Sequence, residues 1–155
     1  MECSAPSYAR AEIEAARLLE AVVADAALLV TRARALPRPP GGRAWARVAD
    51  QGGADAWLIV WSPGSATGRH DHGDSCGLVR VLRGTLVERT WPEAGGGEHI
   101  RRIGRGGTLS VPRDRSHDVA NAGHRVAISL HVYAPRLSRM NFYTEHVPAP
   151  VAVTV

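Results

Sequence analysis

The sequence contains no lysine: its 19 basic residues are all arginine, set against 15 acidic ones for a formal charge of +4 over 155 residues. This is a codon habit. A nucleic-acid footprint gathers its cations in one stripe or interleaves them with aromatics, whereas Arg32, Arg47, Arg83, Arg102, Arg125 and Arg139 are scattered among acids and glycines. No nucleic-acid partner is expected. Cysteine is almost as scarce, since Cys3 and Cys76 are the only two and Cys3 falls in an N-terminal segment expected to be loose. No disulfide frame follows, and a reducing, cytoplasmic address fits. Apolar stretches such as Ala26 to Val30 are far too short to span a bilayer, and residues 1–8 lack a basic stretch followed by an apolar one. No membrane partner is expected. With 45% hydrophobic and only 5% aromatic residues, the composition is that of one globular domain over 1–155. A chain of this size buries roughly 70% of its unfolded surface, so the expectation is a self-sufficient monomer.

Residues 9–35 contain neither Gly nor Pro and are rich in Ala, Leu, Glu and Arg. The spacing predicts a helix. Ile13, Leu18, Leu19, Val22, Val23, Ala26, Leu29 and Val30 recur at three- and four-residue intervals, an apolar stripe that needs something to cover. The run Leu36-Pro37-Arg38-Pro39-Pro40-Gly41-Gly42 then removes amide donors and ends the helix. From residue 43 the pattern changes to short β-branched or aromatic runs punctuated by Gly, among them Ala56 to Trp61, Gly77 to Leu82, Thr85 to Trp91, Thr108 to Val111 and Val126 to Ala134. Strand upon strand at short spacing predicts an all-β sandwich or barrel over 43–147, with residues 148–155 an extended surface tail.

Two segments carry chemistry. In the first, Gly64 is followed by His70-Asp71-His72, then Cys76-Gly77 and Gly84. Side chains alternate along a strand, so His70 and His72 share a face and Asp71 points away. Two imidazoles on a barrel interior can hold one metal ion if a third ligand comes from elsewhere. The second segment runs from Gly106 through Pro112 and Asp114 to His117 and Asn121, with one central histidine.

These segments resemble the two signature motifs of the cupin superfamily, a jelly-roll barrel: Gly64, His70, His72 and Gly84 fit the first, and Gly106, Pro112, His117 and Asn121 the second. Asp114 stands where the second motif usually has Gly, and Gly77 where the first has a metal-binding Glu. The ligand set implied is three neutral imidazoles, His70, His72 and His117, which suits Fe(II) with open positions and would also accept Zn or Cu. A cupin with three histidines and no Glu resembles the thiol dioxygenases, the cysteine dioxygenase family in particular. Ser129-Leu130-His131-Val132-Tyr133 looks like the same family's Ser-x-His-x-Tyr element. The resemblance runs from about Trp45 to Tyr143. It implies that L-cysteine and O₂ are the substrates and cysteine sulfinic acid the product, with Tyr133, His131 and Ser129 as the catalytic row. It also implies that Arg47, in an aromatic-x-Arg element with Trp45, clamps the substrate carboxylate beside Tyr133. The alternatives are another small thiol such as 3-mercaptopropionate, or a metal-binding cupin without turnover.

Other residues take plainer readings. His99, His124 and His146 are expected to be structural or solvated, with no metal role, Trp45, Trp57 and Trp61 to lie in the core, and Cys76 to be a small buried residue. In relatives where the tyrosine is cross-linked to a cysteine, the matching position is Gly77. Cys76, one residue earlier, should face the other way.

Overall fold

The structure, a computed structural model, describes residues 5–92, 95–144 and 151–154. Two helices open the chain, α1 (Ala5–Val23) and α2 (Ala26–Ala35), where the sequence predicts one. The break follows the β-branched pair Val22-Val23, with the Asp25 amide bonding back to the Val22 carbonyl. A single helix over 9–35 would run to about 40 Å; with the break, Leu18 and Leu19 of α1 and Leu29 of α2 all pack on the same sheet.

Eleven strands follow among the described residues: β1 (Arg43–Gln51), β2 (Ala54–Trp61), β3 (His70–Asp71), β4 (Cys76–Arg83), β5 (Thr85–Thr90), β6 (His99–Gly104), β7 (Thr108–Val111), β8 (His117–Ala120), β9 (Ala127–Ala134), β10 (Arg139–Phe142) and β11 (Val151–Thr154). They form a five-stranded sheet, ordered β1-β2-β9-β4-β7, and a six-stranded sheet, ordered β11-β10-β3-β8-β5-β6. Every pairing between these strands is antiparallel. The expected all-β jelly-roll barrel with an N-terminal helical cover is what the chain adopts. Within the tail expected to be extended, Val151–Thr154 pairs with Arg139–Phe142 as the outermost strand of the second sheet. Residues 145–150, including His146, lie outside the described part of the chain.

There are two apolar clusters, and β9 divides them. Leu18, Leu19 and Leu29 of the helices pack with Leu58, Ile128, Leu130, Val132 and Ala134 on the outer face of the first sheet. Trp61, Val79, Val81, Leu86, Leu109 and Val119 fill the space between the sheets. Each fully buried Leu or Ile contributes roughly 1.5–3 kcal/mol, so the helical cover is part of what stabilises the barrel. All eight residues of β9 are buried. Alternation sends its apolar residues out under the helices and leaves Ser129, His131 and Tyr133 on the inner face. Cys76 belongs to the helix-side cluster, where its thiol donates to the Ala134 carbonyl at 3.3 Å. It points away from the barrel interior, as expected.

Candidate metal centre and substrate cavity

His70 and His117 are cross-strand partners of β3 and β8, and His72 follows β3 at once. Their rings stand 4.6 to 5.0 Å apart, centre to centre, and all three are buried. One nitrogen from each lies within 4.8 Å of the others.

The hydrogen bonds decide which nitrogens are free. His70 Nδ1 lies 2.8 Å from the Gly68 carbonyl, which only accepts, so Nδ1 carries the proton and Nε2 keeps its lone pair. His117 Nδ1 lies 2.9 Å from the carboxylate of Glu88, which only accepts, so Nδ1 donates and Nε2 is the nitrogen left to face a metal. That Nε2 is buried and has no partner among the described residues. His70 Nε2 and His72 Nε2 are 3.1 Å apart. His72 Nδ1 is also buried without a partner among the described residues, so no neighbour fixes the tautomer of this ring; buried nitrogens left unpaired cost free energy, and a divalent cation taking one nitrogen of each ring relieves that cost. The donor set fits a metal of the borderline class that imidazoles favour. Burial, with neighbouring His117 the next cause, holds His70 down to about 3 and His72 well below the usual imidazole range. Both are therefore neutral at pH 7, as ligands must be.

Asp71 points to the other side. Its carboxylate accepts from the Gly73 amide at 2.9 Å, the Asn141 amide at 2.7 Å and the Tyr143 hydroxyl at 2.5 Å. It ties β3 to β10 and so fixes the two flanking histidines.

The row on β9 also has a direction. Trp61 Nε1, which can only donate, bonds Ser129 Oγ at 2.8 Å. Ser129 Oγ in turn lies 2.8 Å from His131 Nε2, and His131 Nδ1 lies 3.3 Å from the Tyr133 hydroxyl. The serine proton therefore goes to Nε2, which puts the imidazole proton on Nδ1, donating to the phenol oxygen. Tyr133 keeps its own O–H for the cavity. Burial holds His131 at about 3 and pushes the phenol well above its usual value, so the row is neutral and the phenol protonated. Tyr133 also packs against His72, ring centres 4.8 Å apart. Gly77 is its cross-strand partner, and a Cβ there would meet Tyr133 Cε1 at 3.3 Å. The missing carboxylate and the room for the phenol ring are one feature.

These imidazoles make stability pH-dependent in the metal-free protein. His70 and His131 have folded values near 3 against about 6.5 unfolded. Above pH 6.5 neither state is protonated and their contribution is complete. Below it the unfolded chain takes up protons the fold cannot, and stability falls until about pH 3. Carboxylates still ionised at pH 5 play no part in the first stretch. Metal-free protein melted at pH 7 and at pH 5.2 should lose stability at a limiting rate of about 1.4 kcal/mol per pH unit per imidazole. An unchanged midpoint would contradict the burial of these rings.

A cavity of about 340 Å³ opens onto His70, His117 and Tyr133. Trp45, Trp57, Ile59, Leu137, Met140 and Phe142 supply apolar walls, and Arg43 the one cation among the described lining residues. The Arg43 guanidinium lies 5.8 Å from the Trp45 ring centre and 5.4 Å from that of Trp61. Burial lowers its pKa. Arg47, the arginine expected to enter the site, does not line the cavity. A β-bulge between Arg47 and Ala49 re-aims the end of β1, and Arg47 instead pairs with Asp50 at 3.3 Å over the Trp57 indole, half-exposed. Spacing could not choose between them, because Arg43, Trp45 and Arg47 share one strand face. Only Trp61 takes the core position expected of all three tryptophans; Trp45 and Trp57 line the cavity. Glu88 was not singled out by sequence, although an acid on the same strand face as Leu86 was the signal for it. His99 and His124 are exposed.

A double-walled β-barrel holding three buried imidazoles on its inner face is a metal-binding cupin. The family described as cysteine dioxygenase type I matches residues 9–146, and the chain belongs to that family. Cysteine dioxygenase type 1 of Bos taurus is 33% identical over 96 residues, covering 56% of this chain and 48% of that protein. Its counterpart in Rattus norvegicus is 32% identical over the same shares. The chain thus spans about half the length of the curated relatives it matches. Among solved structures, an oxalate oxidase bound to glycolate superposes with a TM-score of 0.59 at 19% identity, covering 67% of this chain and 56% of that one. A conserved double-stranded β-helix protein of Klebsiella pneumoniae gives 0.60 at 14% identity, with 72% and 93% covered. These two likenesses concern the fold alone.

Proposed function

We propose that this protein is an Fe(II)-dependent dioxygenase that converts L-cysteine and O₂ to cysteine sulfinic acid. The observation that carries the reading is a cluster of three buried imidazoles able to hold one metal ion, two of which, His70 and His117, line a cavity together with a phenol hydroxyl free to donate and one guanidinium. The reaction RSH + O₂ → RSO₂H balances without a further reductant. Iron held by His70, His72 and His117 would supply the redox chemistry that joins O₂ to sulfur.

The chain's own residues do the rest. Arg43 meets the substrate carboxylate with a two-point, charge-assisted clamp, strengthened because it is partly desolvated between two indoles. Tyr133 donates its O–H to substrate or O₂ at the cavity floor. Ser129 and His131 position the phenol and cannot take its proton, since His131 Nδ1 is already protonated and Nε2 is occupied by Ser129. Apolar walls exclude water, which sharpens every polar contact inside.

A second reading, 3-mercaptopropionate as substrate, is favoured by one observation: no acidic side chain stands among the described lining residues to receive a substrate ammonium. The test is O₂ consumption by protein loaded anaerobically with Fe(II), with each thiol offered separately and products identified by mass. Uptake with cysteine and a gain of two oxygens supports the first reading, uptake with 3-mercaptopropionate alone the second. No uptake with either, at stoichiometric iron, overturns both.

A further inference from the structure

In β5, Leu86 and Glu88 are buried while their neighbours are not. Leu86 packs in the core between the sheets, and the next inward position holds a carboxylate that is only 4% exposed. A buried carboxylate costs free energy unless paired, and an apolar residue of similar size serves the core as well. Glu88 is paired on both oxygens. Oε1 accepts from His117 Nδ1 at 2.9 Å, and Oε2 from the guanidinium of Arg101 at 3.3 Å. Arg101 is its cross-strand partner on β6, and its own side chain is 58% exposed. A continuous line of charge and hydrogen bonds thus runs from the surface, through Glu88, to a nitrogen whose ring partner has no other donor.

We infer that Glu88 is the carboxylate of this metal centre, withdrawn to one hydrogen bond behind the ligands. It is a positioning residue that aims His117 Nε2, raises its basicity and places one buried negative charge beside the cation, while Arg101 moderates that charge from the surface. Gly77 leaves no carboxylate among the ligands themselves, and Glu88 restores the charge without occupying a coordination position. The inference rests on the reading of His70, His72 and His117 as metal ligands.

The experiment measures affinity for Zn(II), and for Fe(II) under anaerobic conditions, by competition with a chromogenic chelator, together with the reduction potential of the iron form. Glu88→Gln keeps shape and removes charge. It should weaken metal binding by about 10–100-fold and shift the potential positive, since lost negative charge favours the reduced ion. Arg101→Ala, at an exposed position, should fold normally and tighten binding by no more than about fivefold, the scale of an exposed ion pair. Wild-type affinity and potential in Glu88→Gln, or weaker binding in Arg101→Ala, would overturn the inference. His70→Ala separates the two levels. If it abolishes binding while Glu88→Gln does not, the ligand set stands and the role of Glu88 falls; if His70→Ala also binds normally, the site reading itself falls.

Discussion

Replacing His70 with alanine is expected to abolish stoichiometric metal binding, and O₂ uptake with it, while the metal-free fold survives. Two imidazoles remain, but His70 is the ring both others face, with its Nε2 3.1 Å from that of His72 and its centre 4.6 Å from His117. Removing it takes away one donor and opens the centre to water. The substitution also deletes a buried base that resists protonation, held at about 3 chiefly by burial. The metal-free variant should therefore lose less stability than the wild type between pH 7 and pH 5, which offsets part of the cost of the cavity left behind. Metal content by elemental analysis, with melting at both pH values, checks each half of the expectation. A variant that still holds one equivalent of iron at wild-type affinity would overturn the reading of the three histidines as the metal site.

The second large effect belongs to Arg43. Arg43→Gln should raise KM for a thiol carboxylate by about 10–100-fold, because a charge-assisted pair in a partly desolvated site is worth roughly 1.5–3 kcal/mol. Turnover at saturation should change less, since a clamp acts on bound substrate and transition state alike. Arg47→Gln is the control. Arg47 is half-exposed and already paired with Asp50, so its loss should leave KM within about twofold, the scale of an exposed ion pair. The opposite ranking would return the clamp to Arg47 and require the end of β1 to turn inward when substrate binds. A substrate lacking the carboxylate supplies a further check, because it should not distinguish Arg43→Gln from the wild type in KM.

How much was legible in advance depended on whether the signal was local. His70 and His72 share a face by alternation, and Ser129, His131 and Tyr133 do so for the same reason; both rows stand as the period-two rule requires. His117 was placed by its spacing from Gly106 and Pro112, and it lies across from His70. Arg43 and Arg47 also share a face, and there the rule had nothing left to say. A one-residue bulge at Val48 follows Arg47, and nothing in Arg47-Val48-Ala49 announces it. Glu88 carried a readable flag, an acid on the inward face of a strand, but its partner His117 is 29 residues away. The residues after Pro148 and Pro150 read as an extended surface segment, but that Val151–Thr154 takes the free edge of β10 is set by the sheet and not by the tail's own residues.

The sequence by itself determined the chemistry available: an all-β chain with a helical cover, three histidines at two-residue and cross-motif spacing, no carboxylate at Gly77, and a polar row on an otherwise apolar strand. Those are properties of residue type and period, and they travel with the chain wherever it folds. The tertiary structure alone decided which arginine enters the cavity, which nitrogen of His70 and of His117 is turned away into a hydrogen bond, and that the carboxylate of Glu88 stands behind His117. Each of these depends on contacts between strands distant in sequence, where a bulge, a hydrogen-bond donor or a shared edge is set by the packing of two sheets.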